Sequence, residues 1–204
     1  LLHFDLMLVK SVEDVCGRLV DGLSKAALSV GTFEKVIKSL AHLRPTVSVN
    51  PSTGEPSLSL AATGDASLAG KSVVELLEFA HTSFVGKKPI IFLDEFQDLL
   101  KIADAQQVLA LLRSSIQNHH GCAYIYSGSS RSDMDSIFRD LDSPFFKSAI
   151  PVPVGGIDRS TFIPFLVKKF RTGKRRASKG VVSEILDLVS DNPGDAQELC
   201  NCLW

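Results

Sequence analysis

The sequence has almost no net charge and no long apolar run. Its 22 Lys and Arg residues against 23 Asp and Glu leave a formal net charge of -1, which argues against a surface built as a whole to hold nucleic acid or anionic lipid. No apolar stretch approaches the roughly 18 residues that a membrane-spanning helix needs, and the first residues lack the pattern of a secretory signal. We therefore expect a soluble, cytoplasmic protein.

Cysteine and histidine occur without the spacings that metal sites and disulfide frameworks use. The four cysteines contain no CxxC pair; they stand at Cys16, Cys122, Cys200 and Cys202. No histidine lies at metal-ligand spacing, and His3, His42 and His81 have no evident partner in the sequence. The sequence therefore indicates reduced, mostly buried thiols, and it favours no ligand or catalytic role for a histidine.

An intact phosphate-binding loop, G-x-x-x-x-G-K-[ST], is also absent from the sequence. The stretch GDASLAGKS, residues 64–72, has Gly70, Lys71 and Ser72 in the right order, but Gly64 is one residue too far away. Asp65 occupies the place of the first glycine, where a carboxylate would repel phosphate. We expect a helix start here, with Ser67 as its cap.

The pattern of apolar residues predicts an α/β layer followed by helices. LLHFDLML, PIIFLD and CAYIYSGSS read as strands, with helices between them, and a strand–helix–strand order with short joints predicts a parallel sheet. RPTVSVNPSTGEPSLSLAA predicts a two-stranded hairpin inserted at 45–62. Further elements are a helix near 33–40, a helix over 70–84, a strand over 147–153, and helices over 160–171, 179–190 and from 193 onward.

The predicted boundary between the two parts lies near residue 154. Residues 1–154 form the α/β core with its hairpin insert, and 155–204 form a helical subdomain. Pro164 is expected to kink or shorten its helix. Asn192 and Pro193 suit the N-cap and first position of the last helix.

The strongest functional signal is the acid pair at the end of the apolar run PIIFLDEFQDLL. The carboxyl ends of parallel strands are where open α/β sheets place their ligands, so Asp94 and Glu95 are expected at a ligand-binding edge. Two adjacent carboxylates suit nucleotide hydrolysis, one for Mg²⁺ and one for the attacking water. The alternative is structural, because acids are also favoured at helix starts.

The next predicted strand ends in small polar residues that belong to the same edge. Ser127 and Ser129 could touch a phosphate or the attacking water, and Gly128 would allow close backbone approach. A serine and glycine turn that merely ends a strand is the other interpretation. Arg131 could contact phosphate, or it could pair with Asp133 or Asp135.

Several stretches together resemble a known family. PIIFLDEFQDLL, YIYSGSSRSDM, SPFFKSAIPVPVGGIDRSTF and DNPGDAQELCNCLW look, in that order, like the Walker B strand, sensor strand, fifth strand and lid of archaeal-type P-loop ATPases. Those are AAA+-like members of the STAND group, the signal-transduction ATPases with numerous domains. The chain departs from the family where a Gly-Arg pair often stands, at Lys147 and Ser148, and no arginine follows Pro193.

The resemblance implies an ATP- and Mg²⁺-dependent switch domain with a parallel-sheet P-loop core (ASCE type, AAA+-like) and a helical lid. It implies that Asp94 holds Mg²⁺, that Glu95 activates water and that Ser127 or Ser129 senses phosphate. Asn192 and Pro193 would lie near the nucleotide base or sugar. The family order 5-1-4-3-2 places the P-loop and its strand before Leu1, so we expect a partial core without its first strand and inactive by itself.

Two other functions remain open from the sequence. One is a degenerate ATPase that binds nucleotide as a scaffold without hydrolysis. The other is a nucleic-acid or partner-binding module that uses the basic run KKFRTGKRR, Lys168 to Arg176. A solvated helix end with cations near the C-terminal dipole is the simpler explanation of that run. A protein partner or self-association is expected for a switch domain.

Overall fold

A computed structural model of the chain describes residues 1–29, 38, 45–49, 56–60, 66–82 and 88–204. The described chain forms two compact units, Leu1–Ile150 and Pro151–Trp204. The first is a mixed α/β unit with a small parallel sheet and several helices. In the second unit, the described secondary structure consists of α-helices. The helix predicted near 33–40 lies outside the described residues, apart from Lys38.

The first unit is built from five described strands, four α-helices and one 3₁₀ helix. In chain order they are β1 (Leu2–Asp5), α1 (Val12–Ser29), β2 (Pro45–Val49), β3 (Pro56–Leu60), α2 (Ala66–Thr82), β4 (Ile90–Asp94), the 3₁₀ helix (Phe96–Lys101), α3 (Ala105–Ile116), β5 (Ala123–Tyr126) and α4 (Arg131–Arg139). β2 and β3 pair antiparallel as a hairpin. The start of α1 carries a reciprocal capping box, in which Ser11 and Asp14 accept each other's backbone N–H.

The three-stranded sheet has β4 at its centre. Its order is β1-β4-β5, and both pairings are parallel, which confirms the predicted parallel sheet. Asp5 of β1 is in register with Asp94 of β4, and Leu93 is in register with Tyr126 of β5. The carboxyl ends of the three strands therefore meet at one edge of the sheet.

The described helices bury one face of the sheet much more than the other. On the buried face, Phe4, Ile91 and Leu93 are almost fully buried among side chains of α1, α2 and α3. On the other face, Ile125 is 47% exposed and Phe92 is half-buried. Among the described residues, β4 is therefore buried on one face and only partly covered on the other, so its apolar run reflects β propensity as well as burial.

The strand predicted at 147–153 does not form. Residues 148–158 have no regular structure, and Ile150, Val152 and Val154 are 79 to 95% exposed. Pro151 and Pro153 lack backbone N–H groups, so every second ladder donor is missing. The apolar alternation that suggested a strand is thus outweighed by the loss of its hydrogen bonds.

The near-P-loop stretch is helical, as its acid and its spacing predict. α2 begins at Ala66, so Gly70, Lys71 and Ser72 lie inside the helix rather than in a phosphate-binding loop. Ser67 lies in the first turn of α2, so its prediction as the cap is wrong. Residues 61–65 are outside the described ranges.

α1 packs on β1 through a glycine, which gives a matched pair of substitutions. A Cβ atom on Gly22 would lie 2.4 Å from Phe4 Cδ1 and 2.5 Å from the backbone oxygen of His3, whereas a Cβ on Gly17 meets no described atom within 4 Å. Overpacking costs about 1–3 kcal/mol, and replacing a helical glycine with alanine gains about 1 kcal/mol. We expect Gly22→Ala to lower the free energy of unfolding and Gly17→Ala to raise it by about 0.5–1 kcal/mol. Urea unfolding measures both, and a shift of both variants in the same direction would contradict this packing.

The second unit is made of α5 (Arg159–Thr172), α6 (Lys179–Leu188) and α7 (Pro193–Cys202). α5 continues through Pro164, so the expectation that proline shortens it is wrong. The core of the second unit consists of apolar side chains from all three helices, among them Phe162, Phe170, Ile185 and Cys200. Arg159 bridges α5 to the end of α6, with Nη1 2.7 Å from Asp187 Oδ1 and Nε 2.6 Å from Asp191 Oδ1.

Candidate functional site

The acid pair lies where β4 ends and the backbone changes direction. Asp94 is the last residue of β4, and Glu95 has φ 51° and ψ 41°, the left-handed region that few non-glycine residues adopt. Phe96 then begins the 3₁₀ helix, and its N–H donates to the Ser127 backbone oxygen at 2.9 Å. This backbone hydrogen bond holds the turn at Glu95 beside the end of the neighbouring strand β5.

Asp94 is held by hydrogen bonds from both neighbouring strands. Its Oδ1 accepts a short hydrogen bond from Ser127 Oγ and another from the Glu95 N–H at 3.1 Å. Its Oδ2 lies 3.4 Å from His3 Nε2 on β1. The Ser127 hydrogen bond, followed by those from His3 and the Glu95 N–H, outweighs burial and holds the pKa of Asp94 below its ordinary value. Asp94 is therefore an anion at neutral pH.

Glu95 makes a second acid–serine pair beside the first. Its Oε2 accepts from Ser129 Oγ at 2.8 Å and from Gln97 Nε2 at 2.5 Å. Although Glu95 occupies the N-cap position of the 3₁₀ helix, its side chain makes no capping hydrogen bond. The carboxylate is thus positioned by the side chains of Ser129 and Gln97, and it does not cap the backbone N–H groups of the 3₁₀ helix.

Gln97 and Asp98 complete this polar edge, and no sequence motif singles out either residue. Gln97 is 4% exposed; its Nε2 also lies 3.4 Å from Ser129 Oγ, and its buried Oε1 has no hydrogen-bond partner among the described residues. Asp98 is 3% exposed and accepts the Leu8 N–H at 2.6 Å, with Lys101 Nζ 2.7 Å away. Both side chains turn inward because the chain after Glu95 winds as a 3₁₀ helix.

Burial and the partners of Asp98 shift the pKa of its carboxyl group in opposite directions. Burial raises the pKa of its carboxyl group, but Lys101 and the Leu8 N–H, with a smaller contribution from Gln97, together lower it further than burial raises it. Asp98 therefore remains charged in the folded chain. It fixes the turn after β1, where Leu8 has φ 60°, to the polar edge after β4.

Gly128 allows the two serines to approach the acids. A Cβ atom there would lie 2.2 Å from Gln97 Oε1 and 2.6 Å from Met134 Sδ, so no side chain fits without moving the edge. Close backbone approach to a ligand at Gly128 stays a prediction, because the atoms near it here are side-chain atoms of Gln97 and Met134. A shallow groove of about 470 Å³ lies elsewhere, against Val12, Lys71 and Val108, and its lining includes neither acid.

The remaining predicted cofactor residues are one residue at the start of α4 and two in the second unit. Arg131 begins α4, is 85% exposed and has its Nε 3.9 Å from Asp135 Oδ2. In the second unit, Asn192 Oδ1 caps α7 by accepting the Gly194 N–H at 2.9 Å, and Pro193 is the first residue of the helix. The capping prediction is confirmed, while a role for these residues with nucleotide stays a prediction.

Comparison with known proteins finds a distant structural similarity. No protein-family model matches the chain, and neither does any curated protein. A solved structure, a Walker-type ATPase of Pyrococcus abyssi, is similar with a TM-score of 0.40 and 17% identity, over 89% of this chain and 54% of that one. The chain thus spans about half the length of that ATPase. A similarity of this size assigns no function to this chain.

The basic run from Lys168 to Arg176 is open to solvent. Its six cations are all exposed: Lys168, Lys169, Arg171, Lys174, Arg175 and Arg176. They occupy the end of α5 and the turn after it, where cations suit the helix dipole. Nucleic-acid or partner binding through this run stays a prediction.

None of the helices in the described part of the chain combines the length and the apolar character that a membrane span requires.

The histidines differ from the sequence expectation. His3 contacts Asp94, and His81 lies against a second histidine, His119, and Glu78. The statement that His3 and His81 lack partners is therefore wrong; the partners are distant in sequence and meet only in the folded chain. His42 lies outside the described residues.

The described cysteines are free thiols; Cys16 and Cys200 are buried, Cys122 is half-buried and Cys202 is exposed.

Proposed function

We propose that the edge formed by Asp94, Glu95, Ser127 and Ser129 is the metal- and water-binding half of an ATP-hydrolysing site. The observation that carries the proposal is the pair of acid–serine hydrogen bonds across the tips of β4 and β5. Two carboxylates with different partners can take two different roles. The resemblance of the motifs to archaeal-type STAND ATPases further supports hydrolysis that switches the protein between states, with a protein partner or self-association as the output.

Asp94 is suited to hold Mg²⁺, directly or through water. It is ionised, it lies at the carboxyl end of the central strand, and oxygen donors are the ligands that Mg²⁺ prefers. Ser127 Oγ adds a neutral oxygen beside it. When bound there with ATP, Mg²⁺ would neutralise phosphate charge. Ser127 keeps the Asp94 carboxylate in one orientation, which reduces the reorganisation needed at the moment of reaction.

Glu95 is suited to orient the attacking water. A carboxylate has about four lone-pair sites, and Ser129 and Gln97 both donate to Oε2, which leaves Oε1 with no hydrogen bond given to it by the described residues. A water that donates to this oxygen would lie beside the Asp94 site. Ser129 and Gln97 therefore act as positioning residues for the base, and a Ser129 hydroxyl at the strand tip can report on phosphate.

The Gly70–Ser72 stretch is helical, so other residues have to bind the phosphates of ATP. A complete site needs backbone N–H groups and a lysine around the phosphates. We propose that residues outside the described ranges, or outside these 204 residues, supply them. Activity is therefore to be measured in the natural protein with all its sequence.

The metal role of Asp94 can be tested by substituting one acid of this edge at a time. We expect Asp94→Asn to raise the Mg²⁺ concentration for half-maximal ATP hydrolysis by about 10- to 100-fold, as losses around a metal commonly do. Asp5→Asn is the matched control, because Asp5 ends the neighbouring strand in register with Asp94, and it should leave the Mg²⁺ requirement unchanged. Equal Mg²⁺ requirements in all three proteins would remove Asp94 from the metal site.

A further inference from the structure

A second cluster of ligand-type side chains lies away from the acid edge. Glu78 and His81 are one turn apart on α2, and His119 follows α3 in the turn that leads to β5. One ligand atom from each lies within 4.8 Å of the other two. α2 and the His119 turn lead into the amino ends of β4 and β5, whereas Asp94 and Ser127 follow their carboxyl ends. The two clusters are therefore at opposite edges of the sheet.

His81 has an unused lone pair in this cluster. Its Nε2 lies 3.1 Å from the backbone oxygen of His120, and only an N–H can make that contact. Nδ1 of the neutral ring is then an acceptor, and this buried atom has no hydrogen-bond partner among the described residues. The nearby polar atom is Glu78 Oε1, at 4.0 Å. Two acceptors that face each other at this distance leave room for a cation.

His119 presents a nitrogen to the same carboxylate. Its Nε2 lies 3.0 Å from Glu78 Oε2, and its Nδ1 lies 2.6 Å from the Tyr124 hydroxyl. His119 is 7% exposed, and these two contacts hold its buried ring beside Glu78. A neutral imidazole is the form that binds metals.

We propose that Glu78, His81 and His119 bind a divalent transition-metal ion, with Zn²⁺ as the best match. Two imidazole nitrogens and one carboxylate oxygen form a known Zn²⁺ ligand set, with Zn–N distances of about 2.0–2.1 Å and one position left for water. The Glu78 side chain is 58% exposed, which gives the ion an entry path.

The groups around the ligands match the surroundings of a metal site. Metal-bound histidines donate their other N–H to a carbonyl or similar acceptor, as His81 already does to His120. The Tyr124 hydroxyl can both donate and accept a hydrogen bond, so it can bond His119 Nδ1 in either tautomer. The two rings are stacked, with centroids 4.4 Å apart and planes at 1°. For both lone pairs to meet one ion, the rings have to tilt out of this stack on binding.

The test uses the chain without a polyhistidine tag, after treatment with chelator. Titration with Zn²⁺ by calorimetry should show one ion bound per chain, and Co²⁺ should give visible d–d absorption bands of low-coordinate geometry. His81→Ala is expected to weaken Zn²⁺ binding by at least about 100-fold. His120→Ala is the matched control, because the adjacent exposed ring is removed while the backbone oxygen that contacts His81 stays, and it should bind Zn²⁺ as the wild type does.

Glu78→Gln keeps the experiment decisive if His81→Ala disturbs folding, since Glu78 is half exposed and glutamine has the same shape. Circular dichroism and the Tm without metal establish that each variant is folded. Zn²⁺ should raise the Tm of the wild type and of His120→Ala but not that of Glu78→Gln. Failure of the wild type to bind Zn²⁺ or Co²⁺, or equal Zn²⁺ affinity in His120→Ala and Glu78→Gln, would overturn the site.

Discussion

Replacing Glu95 with glutamine is expected to slow ATP hydrolysis in the natural protein by about 10²- to 10⁴-fold, the usual contribution of a positioned base. Glutamine keeps the length of the side chain and an oxygen that can accept from Ser129 Oγ, which is 2.8 Å from Glu95 Oε2. It has no basic oxygen to take a proton from water. ATP binding should therefore change little, because the lost interaction is one that strengthens only in the transition state.

The measurement is single-turnover ATP hydrolysis beside equilibrium binding of ATP to the same preparations. Glu184→Gln, which neutralises an exposed acid of α6 in the second unit, is the control and should hydrolyse ATP at the wild-type rate. Wild-type turnover in Glu95→Gln would show that Glu95 is not the base. ATP binding without hydrolysis in the wild type would favour the degenerate scaffold instead.

Replacing Asp98 with alanine is expected to lower the free energy of unfolding at neutral pH by about 2–4 kcal/mol. Asp98 is 3% exposed and accepts the Leu8 N–H at 2.6 Å, so alanine leaves that backbone group without its partner. The ion pair between Asp98 and Lys101 contributes less to the free energy of unfolding, because the Lys101 side chain is 55% exposed and water can solvate its charge. Most of the loss should therefore come from the hydrogen bond to the turn after β1.

Two further variants separate these contributions in urea unfolding. Asp98→Asn retains an oxygen for the Leu8 N–H and should cost less than alanine, and Lys101→Met should cost about 0–1 kcal/mol. The folded pKa of Asp98 is lowered, so its contribution is present above the unfolded pKa of about 4 and is lost as pH falls below that value. The difference between wild type and Asp98→Ala should accordingly shrink near about pH 3. A difference that is the same at pH 7 and pH 3 would contradict a charged Asp98.

The sequence predicted the acid edge because that edge depends on local order in the chain. Asp94 directly follows an apolar strand and Ser127 directly follows the next one, and parallel pairing then brings the two together. The parallel sheet and the cap of α7 by Asn192 were predicted for the same reason. Each depends on residues within a few positions of one another or on the rule that neighbouring strands share an edge.

What the sequence did not reveal depends on geometry that periodicity does not encode. Gln97 and Asp98 turn inward because the chain after Glu95 winds as a 3₁₀ helix, which a pattern of apolar residues does not distinguish from a short α-helix. Glu78 and His119 are 41 residues apart, so the histidine cluster exists only once α2 and α3 lie together. The strand expected at 147–153 fails for a chemical reason, the two prolines, that the apolar alternation concealed.

The left-handed backbone at Glu95 limits which amino acids the position tolerates. Valine, isoleucine and threonine carry branched Cβ atoms that clash at a φ of 51°, and proline is confined to a φ near −65°. A random library at this position should therefore return mainly glycine, asparagine, aspartate and unbranched side chains. Asparagine is the informative member of that set, since it fits the turn while removing the charge, and so it separates the shape of this corner from its chemistry.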